Sequence, residues 1–500
     1  MSEQRVRPAD LFPAGAGRNC LYLLVIFLVS RLSYFAAGVR FLEDLTGLIQ
    51  IADPSLLRED LFRTVLLLHA QPPLFNLFVG FVLRCFGEHA LLAFNLIYLL
   101  AGLCLTLSIY LLALRLNIKP RRALLLSGLF TVAPATILLE NWAFYTYPLA
   151  LLLISSALAL NIYLERRTSG WLFCLFSLLA MVVLTRSMFH PLWVLAVPLT
   201  LCRLLPDRRR QIAAAAAVPL LLVGLWMAKN YYTVGSLTTS TMLGMNFYKI
   251  TIMQVPDEDR VRMHAEGDLS KYGLYANFES IDYYREKIGT IKAYLPTGIP
   301  IMDNARTTDG FPNFNNPAYV DISRRFLRDD ISVIIHRPSA YLRGVLGAAS
   351  LYLQPPHDQV FSTRNVERIA PALRVTDVLL YGQLSSLWRD NYHTEFKTRI
   401  KLANTIPDIG LFVLIALLVI LIYWPAVILT ASRSYLASPH GGTILFMLAL
   451  VTYVTLLANL IEIGENARIR YEVEPFIWLL FTAYLARKRE SAPEDGYSQA

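Results

Sequence analysis

Cysteine is scarce in this chain: five residues in 500 (Cys20, Cys85, Cys104, Cys174 and Cys202), most of them within apolar runs and none in the long polar stretch after residue 230. That excludes a disulfide framework, and no zinc-ligand spacing is present. Charge is scarce too, at 17% of residues against 55% hydrophobic, with a mean hydropathy of +0.46. Soluble domains of this size are rarely so apolar, so the composition implies an integral membrane protein. No internal repeat or low-complexity tract occurs, which counts against an inverted-repeat transporter. No small-residue cleavage site follows "MSEQRVRPADLFPAGAGRN", so the first apolar run is read as an uncleaved span.

Crossing a bilayer takes about 17–25 apolar residues. Ten runs qualify: 20–38, 89–114, 123–139, 142–164, 170–185, 188–205, 211–229, 408–430, 442–463 and 473–486. The net charge of +9 does not imply a nucleic-acid partner. With ten spans, Arg5, Arg7 and Arg18, then Arg115 to Arg122, Arg166 and Arg167, Arg203 to Arg210, Arg433, and Arg487 to Arg489 all fall on one side. Basic loops mark the cytoplasm, so both termini are expected there, in a bacterial inner or plasma membrane.

The same parity bears on "HAQPPLFNLFVGFVLRCFG" at 69–87. A full crossing there would throw every later basic cluster outside. The stretch is therefore expected to lie along the outer interface, opened by Pro72 and Pro73. The expected fold is all-α and polytopic, with about ten transmembrane helices, juxtamembrane helices in the first outer loop and a small extracytoplasmic domain. Its parts are a membrane module at 1–229 with an outer loop at 39–88, the extracytoplasmic segment 230–407, further membrane helices at 408–487, and a cytoplasmic tail at 488–500.

Polar residues gather where these helices meet the outer interface. Glu43 and Asp44 follow the first span in "VRFLEDLTG", where a solvated loop charge is the plain alternative. Glu140 in "ILLENWAFYTYP" stands in a turn of almost no polar length, and an ionisable group at such depth is a functional candidate. Arg186, in "VVLTRSMFHPLW", breaks the next outer turn. It can grip a lipid phosphate or pair with Glu140. Lys229, Arg468 and Arg470 add outer cations, and Arg31 inside the first span is expected to pair with a neighbouring helix. Cations that hold phosphate and a carboxylate that takes an acceptor proton suit a reaction between a lipid phosphate and a hydroxyl.

In their order and sidedness, Glu43–Asp44, "HAQPPLFNLFVG", Glu140 and "LTRSMFH" resemble the GT-C superfamily of polytopic glycosyltransferases, among them protein O-mannosyltransferases and the aminoarabinose transferases of lipid A. The resemblance covers about the first 230 residues, and "ENARIRYEVEP" adds an Arg-rich lead into a late span. It implies a polyprenyl-phosphate sugar donor, a lipid, glycan or protein acceptor, and surrounding membrane lipids as partners. Asp44 would be the base, with Glu43 as its rival. Glu140 would assist at acceptor or sugar, and Arg186 would hold the donor phosphate. Gln71 stands where such enzymes often have lysine, which shifts that phosphate contact to His69 or removes it. The second acidic motif reads Glu-Asn-Trp in place of an Arg-x-x-Asp type. Members vary in divalent-metal dependence; no dedicated cofactor or metal cluster is present in the sequence. A transporter or flippase of a lipid-linked saccharide is the competing reading, but it requires charges deep within several spans.

Overall fold

A computed structural model describes residues 16–42, 45–292, 294–359, 363–382, 410–430 and 432–490. Among these residues there are helices and turns but no strands, only isolated bridges between Leu42 and Trp142 and between Arg306 and Pro312. The apolar runs read from the sequence fall largely on helices, with 123–139 split between Pro120–Val132 and Pro134–Glu140 and residues 408–409 outside the described residues. By length and apolarity, however, five stretches among the described residues can cross a membrane: Gly17–Ala36, Pro73–Arg115, Thr146–Arg166, Pro206–Val234 and Pro439–Ile461. A sixth is the pair Pro120–Val132 and Pro134–Glu140, bent by 58°. Ser169–Thr185, Pro191–Leu204, Leu414–Val427 and Glu474–Ala486 are shorter apolar helices, so length alone does not give ten spans.

Proline sets several of these boundaries. Its fixed φ and missing N–H suit the first turn of a helix, and Pro54, Pro73, Pro120, Pro134, Pro191, Pro338 and Pro439 each stand there. Pro134 also explains the bend. It cannot continue the preceding helix, and it holds Ala133 extended at φ −58°, ψ 131°. The helix Arg209–Val234 ends on Gly235, whose φ of 66° lies in the left-handed region that glycine enters without strain.

Among the described residues, the helix ends that carry Arg115, Arg167 and Arg433 are joined by hydrogen bonds. Arg115 reaches Asn161 at 3.2 Å and Glu165 at 2.7 Å. Asn161 donates to the carbonyl of Pro439 at 3.1 Å, and Arg167 to that of Ala437 at 2.7 Å. Gln211 donates to the carbonyl of Arg167 at 3.0 Å, and Arg433 to that of Leu204 at 3.4 Å.

In the first loop, "PLFNLFVGFVLRCF" forms the helix Pro73–Phe86, which buries Phe75, Asn76, Val79, Val82 and Leu83. It packs on Pro54–Glu59, Leu61–Leu67, Ala90–Arg115 and Ser169–Thr185. Gly80 allows the closest approach: a Cβ there would sit 2.3 Å from Leu61 Cδ1 and 3.1 Å from the Leu57 carbonyl. Residues 242–340 bury a cluster of their own that includes Met245, Tyr272, Tyr284, Tyr319 and Phe326, and Ala70 of the first loop joins it.

Candidate functional site

The loop after the first helix is pinned to the turn after Glu140. Leu42 N–H donates to the Asn141 carbonyl at 3.0 Å, and Ala143 N–H donates to the Leu42 carbonyl at 3.2 Å. Leu42 is the last described residue before Glu43 and Asp44, which lie outside the described residues.

The "HAQ" stretch is braided into later sequence. Burial is complete at His69. Its Nε2 lies 2.7 Å from the Asn315 carbonyl oxygen, which can only accept, so Nε2 carries the proton. Nδ1 then accepts from the Thr241 hydroxyl at 2.9 Å. Burial pushes the imidazole down to about 4, with the Asn315 carbonyl opposing and Lys229 adding to the fall. At neutral pH it is therefore an uncharged clasp, with both ring nitrogens occupied. Asn315 Oδ1 also accepts from the backbone of His69 and Ala70, at 3.2 and 3.1 Å. Lys229 Nζ donates to the Leu68 carbonyl and to Asn230 Oδ1, and lies over the Trp226 ring at 3.5 Å. Gln71 is half-buried.

Glu140 is buried and fully engaged. Arg31 Nε donates to its Oε1 at 2.9 Å, a second Arg31 nitrogen engages Oε2, and the Tyr147 hydroxyl donates to Oε2 at 2.8 Å. Arg31 also donates to the Thr131 carbonyl at 2.8 Å, which closes the gap left by the bend at Pro134. The neighbouring helix expected for Arg31 is thus the one that carries Glu140. Arg186 takes a different partner.

Arg186 pairs with Glu472, 286 residues away. Its guanidinium lies 5.2 Å from the Tyr145 ring centroid, and that of Arg468 lies 5.5 Å from the same ring. Arg468 is fully buried, sits 4.6 Å from the Phe144 centroid, donates to Thr146 Oγ1 at 2.7 Å and pairs with Glu465. Lys249 adds a third cation, 2.9 Å from Glu462. Burial opposes ionisation of the Glu465 carboxyl, but Arg468, Lys249 and Arg186 together hold it below the ordinary carboxylate range. Burial likewise opposes the charge on Lys249, and Glu462 and Glu465 hold it above the usual lysine range. Three cations and three carboxylates therefore share one site beside the turn 141–145. Among their side chains Lys249, Glu462 and Glu465 are the more accessible, at 16, 17 and 24% exposure.

Arg470 points elsewhere. It donates to the carbonyls of Tyr352 and Gln354 and to the Tyr381 hydroxyl at 3.1 Å, with Phe412 stacked at 4.5 Å. It staples the late helices to the segment before them. Sequence reasoning did not single out Lys249, Glu462, Glu465 or Glu472. The signal was the acidic half of "EIGENARIRYE": buried arginines require partners, and these are the carboxylates nearest in sequence. Among the described residues no group of three or more His, Cys, Asp or Glu side chains is arranged to hold a metal ion.

Fold and site together define a polytopic helical membrane protein with a buried ionic site at one end of its bundle. No family profile matches the sequence, and no curated protein does. Among solved structures, the archaeal oligosaccharyltransferase AglB from Archaeoglobus fulgidus, in complex with an inhibitory peptide and a dolichol-phosphate, is similar at TM-score 0.36 and 10% identity. The alignment covers 96% of this chain and 53% of that one, so the chain spans about half the length of that structure.

Proposed function

We propose that this chain is a glycosyltransferase of the GT-C type, moving a sugar from a polyprenyl-phosphate donor to an acceptor hydroxyl on the extracytoplasmic face. The observation that carries the reading is the convergence of Arg186 and Arg468 on one ring, Tyr145. Two guanidinium groups that close offer planar pairs of donors to a phosphate. Lys249, the most exposed of the three cations, supplies a further positive charge at the rim.

In this mechanism Asp44, or Glu43 beside it, takes the proton from the acceptor hydroxyl. The acceptor oxygen forms a bond to the anomeric carbon as the bond from that carbon to the phosphate oxygen breaks. Negative charge collects on the departing polyprenyl phosphate, where Arg186 and Arg468 stabilise it. The Leu42–Trp142 bridge supports the assignment, since it fixes Leu42, the residue before Glu43 in sequence, beside the turn that precedes Tyr145. Glu140, held by Arg31 and Tyr147, acts by positioning that turn. His69 and Lys229 act in holding the 68–71 stretch, which carries Gln71, and Arg470 acts in stapling the late helices to residues 352–381.

The test is transfer by the purified full chain in liposomes, supplied with radiolabelled polyprenyl-phosphate sugars and a panel of lipid, glycan and peptide acceptors. Mass spectrometry of lipid-linked sugars and glycans from cells with and without the gene would identify the pair to use. Label that reaches an acceptor in an Arg186-dependent manner is the expected result. Label that crosses the bilayer still attached to its lipid would replace this reading with a flippase.

A further inference from the structure

The helix Pro338–Tyr352 has two unlike faces. One packs tightly on the protein: a Cβ on Gly344 would come 2.2 Å from the Ile250 carbonyl oxygen, and Ala348 and Leu351 join Ile250 and Ile463 in a buried cluster. The other face presents Leu342 and Leu346, one turn apart, at 58 and 69% exposure. Just before the helix, Ile331 and Ile335 are exposed as well.

This helix is tied to a long apolar helix. The Tyr341 hydroxyl donates to the Leu460 carbonyl at 3.0 Å, and the Tyr352 hydroxyl meets Thr455 Oγ1 at 2.8 Å. Both contacts lie on the last turns of Pro439–Ile461, where Leu456 and Leu460 are themselves exposed. Arginines border the patch and turn their heads to polar groups: Arg337 donates to the His336 carbonyl at 3.1 Å, and Arg343 to that of Gln254 at 3.1 Å. Apolar side chains outward with arginine heads at the margin is the pattern of a helix lying in the headgroup boundary of a bilayer.

We infer that Pro338–Tyr352 lies in the outer lipid interface beside Pro439–Ile461, with Leu342 and Leu346 among the upper acyl chains. A second copy of the chain is a poorer occupant. Specific interfaces bury roughly 800 Å² per partner, whereas this patch is a few side chains wide and its helix is bonded to a helix long and apolar enough to cross a membrane. The inference does not depend on the reaction catalysed. Its consequence is local: Gly344 abuts Ile250, next to Lys249, so the lipid-embedded helix fixes one wall of the ionic site at headgroup depth.

The wild-type chain in liposomes tests this directly, by carbene labelling from a diazirine reagent that partitions into acyl chains, with modified peptides read by mass spectrometry. The peptide bearing Leu342 and Leu346 is expected to label about tenfold above the one from the polar helix Asp257–Glu266, and on a par with that bearing Leu456. Labelling no greater than that of Asp257–Glu266 overturns the inference. So does protection that disappears when the protein is diluted in lipid, the mark of a second copy. A nitroxide on Leu346→Cys, with the five native cysteines replaced, gives an independent readout. Faster relaxation by oxygen than by a water-soluble nickel chelate supports the assignment, and the reverse order refutes it.

Discussion

Arg31 and Glu140 form a buried ion pair between the first membrane helix and the end of the bent pair Pro120–Glu140, with both carboxylate oxygens engaged by the guanidinium. Breaking such a pair strands a charge, a loss of about 3–5 kcal/mol, whereas replacing both partners with apolar residues is far milder. Arg31→Met and Glu140→Leu should each lower the thermal midpoint of the detergent-solubilised protein sharply, and the double variant should recover most of the loss. Single variants that melt like the wild type would show that the pair does not hold this joint.

Gly102 guards the same pair from the opposite helix. A Cβ there would lie 2.1 Å from Glu140 Oε2 and 2.8 Å from the Tyr147 hydroxyl. Gly102→Ala is therefore expected to cost about 1–3 kcal/mol through overpacking, despite alanine's better helix propensity. Thermal melts decide it; a stabilised variant would mean the space exists.

His69 makes stability depend on pH with a definite sign. Its folded value of about 4 lies below the ordinary 6.5, so the unfolded chain takes up the proton first. The clasp contributes fully above pH 6.5 and loses its contribution as pH falls from there towards 4, a change on the order of 3 kcal/mol. Melting curves across that window should slope more steeply for the wild type than for His69→Gln. Parallel slopes would remove the imidazole from the account.

Donor use should depend on guanidinium geometry. Arg186→Lys and Arg468→Lys keep the charge but lose the paired donors, so about a tenfold fall in transfer is expected, against about a hundredfold or more for the alanine variants. Turnover with a fixed acceptor and varied donor is the measurement. Alanine variants with unchanged donor dependence would place the phosphate elsewhere.

For the base, Asp44→Asn should lower transfer on the order of 10²–10⁴-fold while leaving donor binding intact. If Glu43→Gln is inactive and Asp44→Asn is not, the role passes to Glu43. Full activity in both variants would sink the enzymatic reading of this loop.

Much of this architecture is legible in residue patterns. Apolar runs mark the helices, prolines mark their starts, and the helix ends that carry Arg115, Arg167 and Arg433 are joined by hydrogen bonds. That Arg186 and Arg468 interrupt apolar sequence at turns is legible as well, and the structure brings both to the Tyr145 ring. What is not legible is who pairs with whom. Glu140 and Arg186 stand on successive turns that the sequence reads as outer, yet Glu140 turns back to Arg31 because the bend at Pro134 aims its helix end at the first span. Arg186 finds Glu472 across 286 residues, a contact that helix packing decides and spacing does not. His69 reads as a titratable ligand in isolation; only its burial between Thr241 and Asn315 makes it neutral.

That last clasp also imposes an order on biosynthesis. Asn315, which holds both the ring and the backbone of His69, is translated 246 residues after it. The 68–71 turn must therefore wait, with its histidine open to solvent and free to protonate, until most of the chain has left the ribosome. Membrane insertion of the first helices can go ahead during that interval, but completion of the wall beside them cannot. A truncated product ending anywhere before residue 315 would carry its early spans and lack this corner, and quality-control proteases would meet a loop with its carbonyls and imidazole unclaimed.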